Sequence, residues 1–193
     1  QEMTKFSLEP DSFIDVAGTF EQRLRENKNR REDMSSERPV TRFYIDELDE
    51  KNRNRNLRTQ LTLWLAMSGV GKSHLARWIG YNGAYVDGLN VLHIQLEGST
   101  SEILDAYSAS LIKAETFQYE TGELSSHAIE TFKRNMESYA GTLKVKSYPK
   151  FGKKISTIDV KNTCDEYKRE YGKYPDILII DSLDLLTDSS GKV

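Results

Sequence analysis

The 193-residue sequence has a single cysteine, Cys164, and no apolar run close to the ~20 residues of a membrane-spanning helix. One cysteine excludes a disulfide within the chain and a zinc site built from several cysteines. Neither sign of charge dominates, because 27 Lys and Arg residues stand against 30 Asp and Glu residues, for a net charge of -3. The chain therefore lacks the overall basic field that is typical of nucleic-acid-binding proteins, and any such binding must come from a local patch or from assembly.

The residues that are present indicate a globular protein. Hydrophobic residues make up 37% of the chain and aromatic residues 10%, which is too much for a mostly disordered protein. A chain of this length can bury a core of its own. The polar first ten residues do not have the apolar run of a signal peptide. Together with the lone cysteine, this predicts a protein of a reducing compartment.

Short apolar runs alternate with helical patterns from residue 60 onward. Strands are predicted at 61–66, 91–96, 142–148 and 176–181, and helices at 72–80, 99–112, 123–140 and 156–171. This order is typical of an α/β fold with a parallel sheet.

The region upstream of residue 60 has a different pattern. An apolar stripe that continues into a run of charged residues predicts a helix from Asp11 to about Arg31. We expect residues 1–40 to form an arm with this linker helix, and residues 41–193 to form the α/β domain. Residues 42–48 have the character of a short strand or a turn.

The most specific motif is the sequence AMSGVGKS at residues 66–73, between a predicted strand and a predicted helix. It matches the phosphate-binding pattern G-x-x-x-x-G-K-[ST], except that Ala66 replaces the first glycine. Converging backbone N–H groups and the start of a helix bind a phosphate favourably. The residues predicted to bind nucleotide phosphates are Ser68, Gly69, Val70, Gly71, Lys72 and Ser73. Lys72 would bridge the β- and γ-phosphates, and the Ser73 hydroxyl would bind Mg²⁺.

Two acidic residues follow the ends of predicted strands. Asp181 ends the apolar run ILII, at the edge of the sheet where α/β proteins bind ligands, and is predicted to hold Mg²⁺ opposite Ser73. Glu97 follows the run LHIQL and is predicted to activate a water molecule for attack on the γ-phosphate. Read alone, Asp181 could instead be a helix cap or part of a turn, and Glu97 could instead cap the helix that begins near Ser99.

Three segments together resemble the RecA-type motor domain of DnaB-type replicative helicases, and the phage members in particular. They are LWLAMSGVGKS at 63–73, NVLHIQLEGSTSEI at 90–103 and DILIIDSLDLL at 176–186. The family often has alanine at the first position of the loop, as at Ala66. Its second strand ends in Leu-Glu followed by a small residue and serine, as at 96–99, and its acidic strand reads Ile-Asp-x-Leu-x-Leu, as at 180–185. The stretch from Thr41 to Asp49 resembles the start of that motor domain.

The resemblance implies a RecA-like P-loop ATPase core, with ATP and Mg²⁺ as its ligands and Glu97 and Lys72 as its catalytic residues. It further implies a helicase of DNA replication that hydrolyses ATP at subunit interfaces of a hexameric ring and moves along single-stranded DNA. A primase or a helicase loader would be a partner, no membrane would be involved, and the protein would work in the cytoplasm of a bacterium or of a phage-infected host. The linker helix would dock on the neighbouring subunit.

The sequence departs from the family pattern at three places, of which the first is that the family's N-terminal primase-interacting domain is absent. The paired glycines that usually precede the first strand are missing from residues 51–60. The chain also ends twelve residues after Asp181, before the strand that the family inserts between the loop strand and the acidic strand. We therefore expect an incomplete sheet and a chain that is part of a longer protein, with poor ATP hydrolysis if it acts alone.

Two other classes share these motifs. A RecA-type recombinase or related filament ATPase has the same core, but it would carry an aromatic polymerisation motif in its arm. A regulator that is not a motor would bind the nucleotide and oligomerise without DNA-stimulated turnover. The charged amphipathic helix of the arm favours the ring-forming helicase over the filament.

Overall fold

The computed structural model describes residues 20–34, 41–52, 57, 60–136, 139–148 and 155–187. The chain divides into two compact units, Gln1–Arg38 and Pro39–Val193. The first unit contains helix α1 (Phe20–Met34), in which Glu21 and Arg25 form an ion pair of 4.0 Å one helical turn apart. The predicted start of the linker helix, at 11–19, lies outside the described residues.

The second unit alternates helices and strands, which confirms the predicted α/β class. Its elements are α2 (Asp46–Lys51), α3 (Lys72–Tyr85), β1 (Asn90–Gln95), α4 (Thr100–Ile112), α5 (Thr116–Glu120), α6 (Ser126–Met136), β2 (Thr142–Ser147), β3 (Ile155–Ser156), α7 (Thr157–Tyr171), β4 (Ile177–Asp181) and β5 (Leu186–Thr187). A short 3₁₀ helix spans Leu183–Leu185. Among the described residues, no helix has the length and apolar character needed to cross a lipid bilayer.

The main sheet has three parallel strands in the order β2-β1-β4. The register pairs Gln95, the last residue of β1, with Ser147 on one side and Asp181 on the other. The carboxyl ends of all three strands therefore meet at one edge of the sheet. A second parallel sheet joins β3 to β5. The sequence did not predict it, because strands of two residues have no periodic pattern.

Both faces of β1 are buried, as is typical of the central strand of a parallel sheet that is covered on both sides. On one face Leu92, Ile94 and Leu96 pack with Ile155 of β3 and with Val160 and Tyr167 of α7. On the other face Val91 packs with Ala84 of α3, with Leu89 and with Ile177 of β4. Helices therefore cover the sheet from both sides, as the pattern of strands and helices predicted.

Capping residues in the sequence mark the ends of α4 and α7. Ser99 begins α4 and Ser156 begins α7, each through a capping box with the residue three positions further on. Gly172 ends α7 in the left-handed conformation, with φ of 78°. The helix predicted at 123–140 is shorter in the structure, since α6 begins at Ser126 after Ser125 accepts a hydrogen bond from the Ala128 N–H.

Two predictions in this unit were wrong. Residues 46–51 form helix α2 rather than a strand or turn. Residues 61–66 form no strand, and Leu61 and Leu65 are 96% and 84% exposed. A buried parallel strand needs a hydrogen-bonded neighbour, and within the described part of the chain β4 pairs only with β1. The further strand that the family resemblance puts between β4 and residues 61–66 stays a prediction.

Candidate functional site

A glycine-containing turn leads directly into α3. Gly69 and Gly71 have φ of 82° and 98°, in the left-handed region that favours glycine. A Cβ atom at either position would meet nothing within 4 Å, so the backbone angle, not crowding, requires glycine here. Gly71 is the N-cap of α3, and no side chain caps this helix. The N–H groups of the first turn of α3 are therefore left for an anion.

Lys72 closes this turn with its side chain. Its Nζ donates hydrogen bonds to the carbonyl oxygens of Ala66, at 2.8 Å, and Met67, at 3.0 Å. The ammonium charge thus lies against the turn itself, with two neutral acceptors. Hydrogen bonds to phosphate oxygens would be charge-assisted and stronger, so an incoming phosphate could displace both carbonyls.

Aromatic residues before and after the turn connect the segments that lead into it with one another and with α3. The rings of Phe43 and Trp64 meet edge to face, with centroids 5.6 Å apart. Trp78 of α3 donates a hydrogen bond of 2.9 Å from Nε1 to the Tyr44 carbonyl. Arg42 forms a two-pronged ion pair with Asp87, the shortest distance being 2.9 Å. These contacts were not predicted from the sequence, in which only the aromatic content of residues 43, 44 and 64 hints at them.

The direction of α3 can be followed from two close approaches. A Cβ added to Gly83 would lie 2.7 Å from the Ile177 side chain, and one added to Gly80 would lie 3.1 Å from Ile179. The helix therefore runs antiparallel to β4. The seven residues back from Gly80 to Ser73 span about 10.5 Å, which equals about three strand residues. Ser73 is thus level with the carboxyl end of β4, where Asp181 lies.

Asp181 and Glu97 lie at neighbouring strand ends. Asp181 is half-buried at the end of β4, and its carbonyl accepts a 2.6 Å hydrogen bond from the Leu96 N–H. This bond brings the loop after β1 to the end of β4, and Glu97 is exposed at the start of that loop. The structure therefore brings the four predicted residues Lys72, Ser73, Glu97 and Asp181 to the same edge of the sheet.

The donor set at this edge suits Mg²⁺ better than a metal enclosed by protein. Among the described residues, no three His, Cys, Asp or Glu side chains are grouped closely enough to hold a metal ion. Mg²⁺ typically keeps several waters and takes one or two protein ligands together with phosphate oxygens. The Ser73 hydroxyl and the Asp181 carboxylate fit that pattern.

His93 of β1 and Tyr107 of α4 form a buried polar pair. His93 is fully buried, and its Nδ1 is 2.7 Å from the Tyr107 hydroxyl. Its Nε2 has no hydrogen-bond partner among the described residues. Burial lowers the pKa of His93 to about 4, an effect that nearby Asp181 opposes and Arg77 reinforces. Burial also raises the pKa of the Tyr107 hydroxyl, so the pair is neutral near pH 7.

We expect this histidine to make the fold sensitive to acid. Its folded pKa is about 4 and its ordinary value 6.5, so between these values the unfolded chain binds a proton that the folded chain does not. The contribution of neutral His93 to the free energy of unfolding is therefore complete above pH 6.5. As the pH falls from 7 to 4, the free energy of unfolding decreases by about 3 kcal/mol through this group. Urea unfolding followed by circular dichroism at both pH values would measure the loss.

The His93→Gln variant is the control for this prediction. Carboxylates elsewhere contribute to acid sensitivity in both proteins, so the difference between the two pH slopes isolates His93. Equal slopes in the wild-type protein and the variant would contradict the prediction.

No family model matches the chain, and a search of the curated proteins finds no match. The features of this edge that bear on function are therefore the turn before α3, Lys72 and Ser73, and the two acidic residues at the strand ends.

Proposed function

We propose that this chain binds and hydrolyses ATP, as the RecA-like motor domain of a DnaB-type replicative helicase. The observation that carries the proposal is the uncapped start of α3, behind a glycine turn that Lys72 closes. This start is level with the strand ends that hold Asp181 and Glu97. Anion-binding N–H groups, an ammonium group and two carboxylates at one edge are the groups that phosphoryl transfer requires.

Binding would begin with the exchange of partners at Lys72. The phosphates of ATP would replace the carbonyl oxygens of Ala66 and Met67 as acceptors for Nζ, and the N–H groups at the start of α3 would bind the β-phosphate. Because this exchange replaces neutral carbonyl acceptors with negatively charged phosphate oxygens, the turn is expected to favour a nucleotide that has phosphates over one that has none.

Hydrolysis would use the two acidic residues differently. Ser73 and Asp181 would hold Mg²⁺, which neutralises negative charge on the phosphates. The Glu97 carboxylate is exposed and two residues beyond the end of β1, where it would accept a proton from the attacking water. The oxygen of that water forms the new bond to the γ-phosphorus, the bond to the β-phosphate oxygen breaks, and ADP and inorganic phosphate leave.

The motor part of the proposal rests on the resemblance of residues 63–73, 90–103 and 176–186 to the helicase family. We propose a hexameric ring on single-stranded DNA, in the cytoplasm, with a primase or a loader as partner. The net charge of -3 is compatible with such a ring, since a pore collects a few basic residues from each subunit around the strand.

Phosphate release from ATP and Mg²⁺, measured with and without single-stranded DNA, tests the motor. We expect slow release from the wild-type chain alone, a severalfold higher rate when DNA is added, and no release with Lys72→Ala. Lys173→Ala, which removes an exposed lysine after α7, is the matched control. ATP binding without DNA-stimulated release would contradict the motor and favour a nucleotide-binding regulator.

A further inference from the structure

We infer that Gln95 is a positioning residue that fixes the loop carrying Glu97. The inference rests on the proposed function, in which Glu97 activates the attacking water. Gln95 is the last residue of β1 and only 7% exposed, and the proposed function gives it no role of its own.

The buried amide group of Gln95 binds two backbone carbonyls of the loop that follows β1. Its Nε2 donates to the Glu97 carbonyl at 2.6 Å and to the Ser99 carbonyl at 3.3 Å. These two carbonyls flank Gly98, so a single NH₂ group holds both sides of the bend. The backbone of Glu97 itself is one of the two points that Gln95 holds.

The remaining anchors of the loop lie at its two ends. At the first, the Leu96 N–H donates to Asp181. At the second, the Ser99 N–H donates to Glu102 Oε2 at 2.9 Å, within the capping box of α4. Gln95 is therefore the contact at the middle of the loop, between its attachments to β4 and to α4.

Gly98 shows how closely Gln95 packs under the bend. Its φ is 86°, and a Cβ atom at this position would lie 2.8 Å from Gln95 Nε2 and 3.0 Å from Glu102 Oε2. No side chain fits between the bend and these two groups. The position of the Gln95 amide therefore fixes the position of the loop backbone at Gly98.

Packing alone does not account for a glutamine at this position. Gln95 Oε1 is buried and has no hydrogen-bond partner among the described residues. A buried acceptor without a partner costs stability, so an apolar side chain of the same length would suit a purely structural position better. The NH₂ group is what an apolar side chain lacks, and its two acceptors are the carbonyls that set the course of the loop.

The test compares three variants of the 193-residue chain with the wild-type protein. Gln95→Met keeps the length and removes the donor, and Gln95→Glu keeps the shape but replaces the donor with an acceptor that faces two carbonyls. Thr163→Val removes a buried hydroxyl on α7, away from the loop, and controls for general destabilisation. The readouts are ATP affinity, turnover of ATP, and amide hydrogen exchange at Leu96 and Ser99.

We expect both Gln95 variants to lower turnover about 100-fold, because a small displacement of a catalytic group costs that much, while ATP affinity stays within about twofold. Exchange at Leu96 and Ser99 should accelerate in both, and Thr163→Val should change neither turnover nor exchange there. A Gln95→Met protein with wild-type turnover and wild-type exchange would overturn the inference, as would an equal loss of turnover in Thr163→Val.

Failure of the proposed function would look different. In that case the wild-type protein itself would neither bind ATP nor release phosphate. The exchange measurement would still decide the anchoring of the loop: faster exchange in Gln95→Met but not in Thr163→Val supports it, and unchanged exchange overturns it.

Discussion

Replacing Lys72 with alanine is expected to weaken ATP binding by about 100-fold or more. The side chain donates two hydrogen bonds to carbonyls of the turn, and both would be replaced by stronger bonds to negatively charged phosphate oxygens in the complex. Two such bonds at about 1.5 kcal/mol each correspond to this loss in affinity. A titration with a fluorescent ATP analogue in the presence of Mg²⁺ would measure it.

The control for Lys72→Ala must separate the specific loss from a general change of charge. Lys173→Ala removes one positive charge from an exposed position and should bind ATP like the wild-type protein. If both variants lose affinity equally, or if Lys72→Ala binds normally, then the turn before α3 is not the phosphate site.

Replacing Glu97 with glutamine is expected to separate binding from hydrolysis. The amide has nearly the same size but does not accept a proton at neutral pH, and Glu97 is exposed, so the fold should not change. General-base catalysis typically contributes 10²–10⁴ in rate, and turnover should fall by about that factor, while ATP affinity stays within about twofold. Phosphate release under excess enzyme, together with the binding titration, gives both quantities.

Glu123→Gln makes the same chemical change at an exposed residue between α5 and α6. It should leave both quantities at the wild-type level. Wild-type turnover in Glu97→Gln would mean that another group takes the proton from water, and the assignment of Glu97 would have to be given up.

The strands and helices that local patterns determine were predicted well. Strands β1, β2 and β4 were found within one or two residues of their ends, because each has an apolar or alternating run bounded by glycine or proline. The starts of the helices at residues 99 and 156 were also found, since the capping box that begins each of them involves only four consecutive residues. Strand order and register depend on contacts between distant segments, and the sequence alone did not provide them.

The strand predicted at 61–66 shows that an apolar run alone does not determine whether a strand forms. An apolar run predicts burial, but burial needs a neighbour, and in the described part of the chain β4 pairs only with β1. Leu61 and Leu65 are exposed for this reason. The apolar pattern describes what the segment is suited to contact, and the contacts themselves decide whether the strand forms.

The parts of the candidate site that short sequence motifs define were predicted from the sequence. The turn at 66–73 and the acidic residues at two strand ends are visible as sequence because their spacing is local. Gln95 and Trp78 were missed, since their roles depend on backbone carbonyls of other segments, which carry no side-chain signal. The polarity of Gln95 amid the apolar residues of its strand was the available hint.

The most direct test of the account is a calorimetric titration of the wild-type chain with ATP, inorganic tripolyphosphate and adenosine, each in the presence of Mg²⁺. If the turn before α3 recognises phosphate groups, ATP and tripolyphosphate will bind and compete with each other, and adenosine will not bind measurably. Adenosine that binds as well as ATP, or a chain that binds none of the three, would contradict the account.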